Sequence, residues 1–216
     1  MTRTFPDILR AFPEVSQSLC PGDLLRLILR NVAFVSHYYI LRYPLRRLPP
    51  GPPAKLGGSG VELLQPDDLA DLYRQLPSLR SEDRRELLSR ILFFKSGFRN
   101  CYAIKVNASV AYIQWIIHPS ENDLLLAHHK HRFLPLAPTE VMIENAFTSP
   151  AYRGRGFMPF GSWELLHTAR EQGYSQAITY VRKDRIIALN SFLHSGFRIS
   201  RLVREYKFLG TAWRNL

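Results

Sequence analysis

A glycine-rich turn between a strand and a helix restricts the fold of this chain more than any other feature: TSPAYRGRGFMPFGSWELL, residues 148–166. Gly154 and Gly156 allow the backbone to approach a ligand closely and to point several N–H groups at one spot. The following helix adds the positive end of its dipole, and Arg153 and Arg155 add charged donors. The turn therefore predicts a phosphate-binding junction. The alternative is a tight turn that merely exposes two arginines.

A proline- and glycine-rich segment, PPGPPAKLGGSG, divides the chain. These residues, Pro49–Gly60, can sustain neither a helix nor a central strand, so they are expected to link two parts. The first part, residues 1–48, is expected to contain a helix from Asp23 to about Val35 and then a strand, SHYYILRY. The second part, residues 61–216, is expected to form one domain.

Strand and helix patterns alternate in the second part. The expected strands are VELL, CYAIKV, SVAYIQWII, EVMIENAFT, QAITYV, FRISRL and REYKFL, and the expected helices begin near Pro66, Ser81, Phe157 and Arg185. Asn107 and Ala108 are predicted to join the second and third of these strands in a hairpin. A mixed sheet with helices on its faces, an α/β (α+β) fold, is the natural packing for this order.

The formal net charge of +11 over 216 residues indicates anionic partners. A nucleotide cofactor, an acidic carrier protein, nucleic acid and a membrane surface would all fit. Nucleic acid is not expected, because the chain has no long basic tail and its aromatic residues lie in apolar runs. Charged residues interrupt the apolar stretch Leu24–Leu48, so it is not a membrane span. Its helix could still make peripheral contact with a membrane or a partner.

Cysteine use and the first residues point to the cytoplasm. Cys20 and Cys101 are the only cysteines, so no disulfide framework is suggested and a reducing compartment fits. The opening MTRTFPDILRAFPEV contains early prolines and acidic groups, unlike a secretory signal. His128, His129 and His131 lie close together, but no cysteine or well-spaced carboxylate completes a set, so no metal site is expected.

The glycine-rich turn resembles the pyrophosphate-binding loop of the GNAT acyltransferase superfamily, which follows Gln/Arg-x-x-Gly-x-Gly/Ala. Arg153 and Gly156 match at the right spacing, and Met158 stands where the family usually has Gly or Ala. The preceding SPAYRG is similar to the family's Pro-x-Tyr-Arg-Gly, and HSGFR at His194–Arg198 is similar to the Gly-Phe that closes its next helix. The resemblance covers residues 61–209. It implies a mostly antiparallel sheet flanked by helices, here with an N-terminal helix–strand extension.

The resemblance also implies an acyl-CoA site. The strand ending at Thr148 should splay from its neighbour, and backbone groups of Ala146, Phe147 and Thr148 should pair with the pantetheine arm of CoA. The loop amides should hold the pyrophosphate; the residues assigned to the loop are Arg153, Gly154, Arg155, Gly156, Phe157 and Met158. The acyl group, with acetyl as the leading choice, would pass directly from acyl-CoA to an amine held on the far side of the sheet.

Direct transfer to an amine needs a base for the ammonium and a donor for the developing oxyanion. Glu144 is the leading candidate base, because it lies in an apolar strand where desolvation raises the pKa of a carboxyl group. Strand alternation would place it on the face of Met142, Ala146 and Thr148. Glu140, further out on that face, is the reserve candidate. The alternative role for Glu144 is a buried partner of an arginine.

Two positions depart from the family pattern. Phe192 stands where many members have the tyrosine that reprotonates the CoA thiolate, and Arg185 stands where many have an asparagine. Either water or another residue supplies that proton, or the protein is a weak catalyst. The expected function is N-acyl transfer from acyl-CoA to a small-molecule or peptide amine. The alternatives are an acyl carrier protein as donor and a non-catalytic CoA-binding module.

Overall fold

The structure, a computed structural model, describes residues 33–52, 60–129, 132–208 and 211–216. These residues form one eight-stranded sheet with five α-helices. The strands are β1 (Ala33–Pro44), β2 (Val61–Leu63), β3 (Cys101–Val106), β4 (Ser109–Ile117), β5 (Glu140–Thr148), β6 (Gln176–Arg182), β7 (Arg198–Phe208) and β8 (Thr211–Arg214). The helices are α1 (Pro66–Gln75), α2 (Ser81–Lys95), α3 (Asn122–His129), α4 (Phe157–Glu171) and α5 (Ile186–His194). The expected α/β class is confirmed.

The strands lie in the order β2-β3-β4-β5-β6-β1-β7-β8 across the sheet. Every neighbouring pair is antiparallel except β5 and β6, which run parallel. Helix α4 connects these two, because parallel strands need a long crossover. The β3–β4 hairpin turns at Asn107 and Ala108, whose φ angles of 51° and 62° match the twist of the flanking strands. The mostly antiparallel sheet is confirmed.

Helices cover both faces of the sheet. Helices α1, α2 and α3 pack on one face, where their buried residues include Leu72, Leu87 and Leu125. Helices α4 and α5 pack on the other, where Leu165 and Leu189 are buried. We call these the α2 face and the α4 face. None of the helices in the described ranges has the length and apolar character needed to cross a bilayer.

The first described strand lies inside the sheet rather than at its edge. Strand β1 pairs with β6 on one side and with β7 on the other, and Leu41 in its middle is fully buried. The strand expected at SHYYILRY is therefore confirmed. The helix expected to reach about Val35 is wrong at residues 33–35, which begin β1. The rest of that helix and part of the Pro49–Gly60 linker lie outside the described residues, so the division of the chain there stays a prediction.

Two elements differ from the expected order. FRISRL and REYKFL form one continuous strand, β7, which the short β8 follows. The sequence pattern does not predict α3 at all. The Asn122 side chain at its start exchanges two hydrogen bonds with the backbone of Leu136, at 2.9 and 2.8 Å. A contact this far along the chain leaves no trace in local periodicity.

Helix α4 approaches the sheet closely at Gly161. A Cβ atom there would lie 2.4 Å from Cε1 of Tyr112 on β4. The Tyr112 ring is buried, and its hydroxyl donates to Gln114 at 2.7 Å. Ser162 donates to the same Gln114 oxygen at 3.1 Å. The missing side chain at Gly161 therefore sets the height of α4 above β4, and with it the position of the loop that precedes α4.

Candidate functional site

Strands β5 and β6 separate after a short parallel pairing. They pair from Glu140–Gln176 to Met142–Ile178, and no residue pair follows in either strand. Beyond Met142, the backbone groups of β5 that point away from β4 therefore have no partner in β6. The splay that the resemblance implies is present, and among the described residues it leaves the edge of β5 near Ala146 unpaired on its β6 side.

A β-bulge bends β5 at this opening. Asn145 has a φ of 58°, and the register with β4 shifts at the same point. The extra residue reverses the alternation of faces. Met142 and Phe147 consequently share the core of the α2 face, whereas Ala146 packs on the α4 face. The expectation that Glu144 and Ala146 share a face is therefore wrong.

Glu144 lies where the two strands diverge, on the α2 face. It stands opposite Trp115 of β4, which belongs to the α2-face core. Its Oε1 accepts a hydrogen bond from the backbone N–H of Tyr180 on β6 at 2.7 Å, which bridges the opening. Burial raises the pKa of Glu144; the Tyr180 N–H and the charges of Arg214 and Arg90 oppose this shift without cancelling it. A carboxyl group so placed is suited to exchange a proton.

Glu140, the reserve candidate, lies at the other end of β5. Four residues of strand put it about 13 Å from Glu144. Its Oε1 lies 2.8 Å from Nη1 of Arg42 on β1, and its Oε2 accepts from the Ala137 N–H at 3.2 Å. Arg42 also donates to Gln176 at 2.6 Å. These contacts give Glu140 a place in the β5–β6–β1 junction, remote from the opening.

The predicted phosphate loop joins the open end of β5 to α4. Gly154 and Gly156 have φ angles of 77° and 83°, a conformation that glycine adopts without strain. Gly156 is the N-cap of α4, and Phe157 buries its ring against the sheet. Within the described part of the chain, no acceptor hydrogen-bonds to the amides of residues 154–158. Several N–H groups at a helix N-terminus are therefore available to an anion.

The two arginines of the loop differ. Arg153 donates through Nε to the Thr148 carbonyl at 3.2 Å and through Nη2 to Asp83 of α2 at 2.6 Å. The backbone N–H of Arg153 also bonds to Pro150 at 3.3 Å. Arg153 thus anchors the loop to β5 and α2. Arg155 is exposed and lies over the Tyr152 ring, 5.5 Å from its centroid, where its charge stays accessible.

A polar stripe on α2 was missed by the sequence interpretation. Asp83, Glu86 and Arg90 follow at i, i+3 and i+7, so they share one face over about 10 Å of helix. Asp83 meets the loop, and Arg90 lies near enough to Glu144 for the two charges to interact. Arg185, which precedes α5, reaches across to Glu86 at 3.2 Å. The signal was present as polar residues at helical spacing, but the other positions of the helix mix polar and apolar residues, so the stripe does not stand out.

The two departures from the family pattern have different structural roles. Phe192 is 5% exposed and packs edge-on against Phe197, with ring centroids 5.0 Å apart. It belongs to the core under α5 and has no proton to give. Arg185 is the N-cap of α5 and bonds to Glu86 rather than capping the helix with its side chain.

The histidine cluster contributes an aromatic side chain to the core. His129 packs among Phe93, Phe98 and Phe133. Burial, with the nearby positive charges, lowers its pKa to about 4, so the ring is neutral near pH 7. In the described ranges, no group of three or more histidine, cysteine or acidic side chains is placed to hold a metal ion. His131 lies outside those ranges.

Comparison with known proteins gives a clear result only at the level of structure. No family model matches the chain, and no curated protein matches it by sequence. An acetyltransferase of the GNAT family from Colwellia psychrerythraea is similar, with a TM-score of 0.54 and 12% identity; the match covers 86% of this chain and 61% of that one. A GCN5-related N-acetyltransferase from Sphaerobacter thermophilus gives 0.53 and 14%, covering 88% and 57%.

A conserved Staphylococcus epidermidis protein of unknown function gives a TM-score of 0.53 and 12% identity, covering 88% of this chain and 67% of that one. This chain thus spans between 57% and 67% of the lengths of these three structures. Identities this low establish a likeness of fold alone. The sequence resemblance is confirmed at that level: the chain has the fold of the GNAT acyltransferase superfamily.

Proposed function

We propose that this protein transfers an acyl group, with acetyl as the leading choice, from acyl-CoA to an amine. The observation that carries the proposal is one continuous feature. The opening beyond Met142 leads directly into the loop, and the amides of residues 154–158 in that loop have no hydrogen-bond acceptor among the described residues. An open strand edge suits a chain of amides, and a helix N-terminus suits a diphosphate. Pantetheine and pyrophosphate are joined in this order in CoA.

The backbone would supply most of the donor site. The N–H groups of residues 154–158 and the α4 dipole favour a diphosphate, and the exposed Arg155 adds a positive charge beside them. The open edge of β5 at Ala146 and Phe147 offers strand-like hydrogen bonds to pantetheine. Bound acyl-CoA would bring the activated thioester. The protein would orient the bound acyl-CoA, and Arg153 would hold the loop in place.

Glu144 is the proposed base, acting directly or through one water. Its raised pKa and its place at the opening fit a group that takes a proton from an ammonium. The hydrogen bond from the Tyr180 N–H fixes the carboxylate between the strands, so one oxygen is held while Oε2 keeps only a long contact of 3.4 Å to the Asn145 N–H. Since Phe192 cannot donate a proton, we propose that water reprotonates the thiolate.

Gly154→Glu tests the donor site. It places bulk and a negative charge beside the free amides, so we expect the Kd for CoA, measured by calorimetric titration, to rise about 100-fold or more. Gly173→Glu is the matched control, because Gly154 and Gly173 both have positive φ angles (77° and 88°) and no atom within 4 Å of a new Cβ. Gly173 follows the other end of α4, so that variant should bind CoA normally. Normal affinity in folded Gly154→Glu would refute the donor site.

Glu144→Gln tests the base. It keeps the shape of the side chain and its acceptor oxygen for the Tyr180 N–H, so kcat should fall by about 10² to 10⁴-fold with little change in CoA affinity. The acidic limb of the pH–rate profile should disappear. Glu140→Gln is the control on the same strand and should stay within a few-fold of wild type. An unchanged rate and pH profile in Glu144→Gln would remove Glu144 from the mechanism.

An acyl carrier protein as donor is the competing proposal. The net charge of +11 and the exposed Arg155 would suit an acidic carrier. Turnover with acetyl-carrier protein and with acetyl-CoA, at matched concentrations, separates the two donors. A protein that binds CoA but acetylates no amine in a broad panel would instead be a non-catalytic CoA-binding module.

A further inference from the structure

Arg90 is a largely buried guanidinium group, and most of its N–H donors have no acceptor among the residues that the structure describes. Its side chain is 19% exposed. Nη1 donates to Oγ of Ser89 at 2.8 Å, Nη2 lies 3.8 Å from Oε1 of Glu86, and the buried Nε has no hydrogen-bond partner in the described part of the chain. A guanidinium carries five N–H donors, and leaving buried ones unpaired is costly. Such a group is expected to be completed by something that binds.

The carboxylates near Arg90 are shared with, or hydrogen-bonded to, other groups. Arg90 and Arg185 share a single carboxylate, that of Glu86, at 3.8 and 3.2 Å. The charge of Glu144 also acts on Arg90, but Oε1 of Glu144 already accepts the Tyr180 N–H. In the described part of the chain, neither Glu86 nor Glu144 therefore accepts a hydrogen bond from the Arg90 guanidinium. Burial lowers the pKa of Arg90, and the charges of Glu86 and Glu144 oppose this shift.

The position of Arg90 is informative. Ala146 and Phe157 pack on the α4 face, whereas Glu144 and the α2 stripe lie on the α2 face. The loop meets the α2 stripe through the Arg153–Asp83 hydrogen bond, and Glu144 lies where β5 and β6 diverge. An amine that reaches Glu144 on this face would come under the influence of Arg90, whose charge acts on Glu144.

We infer that the acceptor is an amine bearing a carboxylate, such as a free amino acid, whose carboxylate is bound by Arg90 with Arg185 at its side while its amine faces Glu144. The planar fork of Arg90 matches a carboxylate in two parallel hydrogen bonds, through the Nε and Nη donors it leaves free. This inference rests on the proposed acyltransferase function and adds its substrate class.

Matched acceptors test the inference. The purified protein is assayed with acetyl-CoA, by release of the CoA thiol, against the twenty standard amino acids and their decarboxylated and C-terminal amide forms, for example phenylalanine, phenethylamine and phenylalaninamide. We expect kcat/KM to be about 30-fold or more higher for the best carboxylate-bearing amine than for its two partners. Equal or faster turnover of the decarboxylated amine would overturn the inference. If O-phosphoethanolamine were the best acceptor, the inferred carboxylate would be wrong and the acceptor would instead carry a phosphate.

Variants of Arg90 link the preference to the residue. Arg90→Met should raise KM for the amino acid by about 30-fold and abolish the preference over the amide, with CoA affinity unchanged. Arg90→Lys keeps the positive charge without the planar guanidinium, so it should retain only part of the preference for the amino acid over its amide. If Arg90→Met does not fold, Arg90→Lys takes its place in the test. Arg85→Gln, at an exposed arginine of the same helix, is the control. A preference that survives both Arg90 variants refutes the assignment.

A binding experiment separates failure of this inference from failure of the proposed function. Thermal stability is measured with and without CoA while each amino acid and its amide are titrated in. Stabilisation by the amino acid, lost in Arg90→Met, supports the site even if no turnover occurs. CoA binding without any Arg90-dependent stabilisation or preference overturns the acceptor site alone. Absence of CoA binding overturns the proposed donor site.

Discussion

Gly161→Ala should destabilise the protein although alanine is the better helix former. The substitution gains about 1 kcal/mol of helix propensity. Its new Cβ would lie 2.4 Å from Cε1 and 2.9 Å from Cδ1 of Tyr112. The Tyr112 ring cannot turn aside, because it is 1% exposed and held at its hydroxyl by Gln114. Helix α4 must therefore move by about 1 Å, and overpacking of this kind costs about 3 kcal/mol at the upper end of its range.

The net cost is then about 2 kcal/mol, which for a chain of this size lowers Tm by roughly 4 to 8 °C. Differential scanning calorimetry measures it, with Gly60→Ala as the control because no atom lies within 4 Å of a Cβ there. That control should shift Tm by less than about 2 °C. Tyr112→Val removes the ring that the new Cβ would meet. In a double-mutant cycle, Gly161→Ala should therefore lower Tm less in the Tyr112→Val background than in wild type. A Tm for Gly161→Ala equal to or above wild type would refute the argument that Gly161 sets the height of α4.

Two further predictions concern buried charge. The pKa of Glu144 is raised above 4.5 in the folded state, so the folded protein binds more protons than the unfolded chain just above that pH, and the contribution of Glu144 to stability falls as pH rises through this window. The Tm of Glu144→Gln minus the Tm of wild type should therefore increase from about pH 4 to about pH 7. A constant or falling difference would contradict the raised pKa. Arg214 and Glu205 form an ion pair at 2.9 Å with side chains 2% and 5% exposed, so Arg214→Met should cost about 3 kcal/mol in urea unfolding. Adding Glu205→Gln should recover part of that loss, and a Met variant as stable as wild type would show that Arg132, at 3.2 Å, neutralises Glu205 alone.

Local sequence was enough to predict most elements and the loop of the candidate site. The φ preferences at Gly154 and Gly156, the hairpin residues Asn107 and Ala108, and the 3.6-residue periodicity of α1 each act within a few neighbouring residues. These local preferences do not depend on the fold in which the segment lies. The candidate base was also found locally, as an acidic residue inside an apolar strand.

Tertiary structure decided what those elements meet. The β1 pattern predicts a strand but not its place between β6 and β7, whose residues are more than 130 positions away. The bulge at Asn145 reversed the faces of β5 because the register with β4 required an extra residue, which alternation alone cannot reveal.

Partners of the charged side chains were likewise fixed only by the fold. The sequence contains many arginines, and nothing local indicates that Arg153 bonds to Asp83 or that the charge of Arg90 acts on Glu144. Backbone propensities and side-chain periodicity depend on interactions between residues that are close in the chain, so they can be predicted directly from the sequence. The choice among many oppositely charged partners depends on which surfaces the packed helices bring together, and that is settled by burial of the core rather than by the charges themselves.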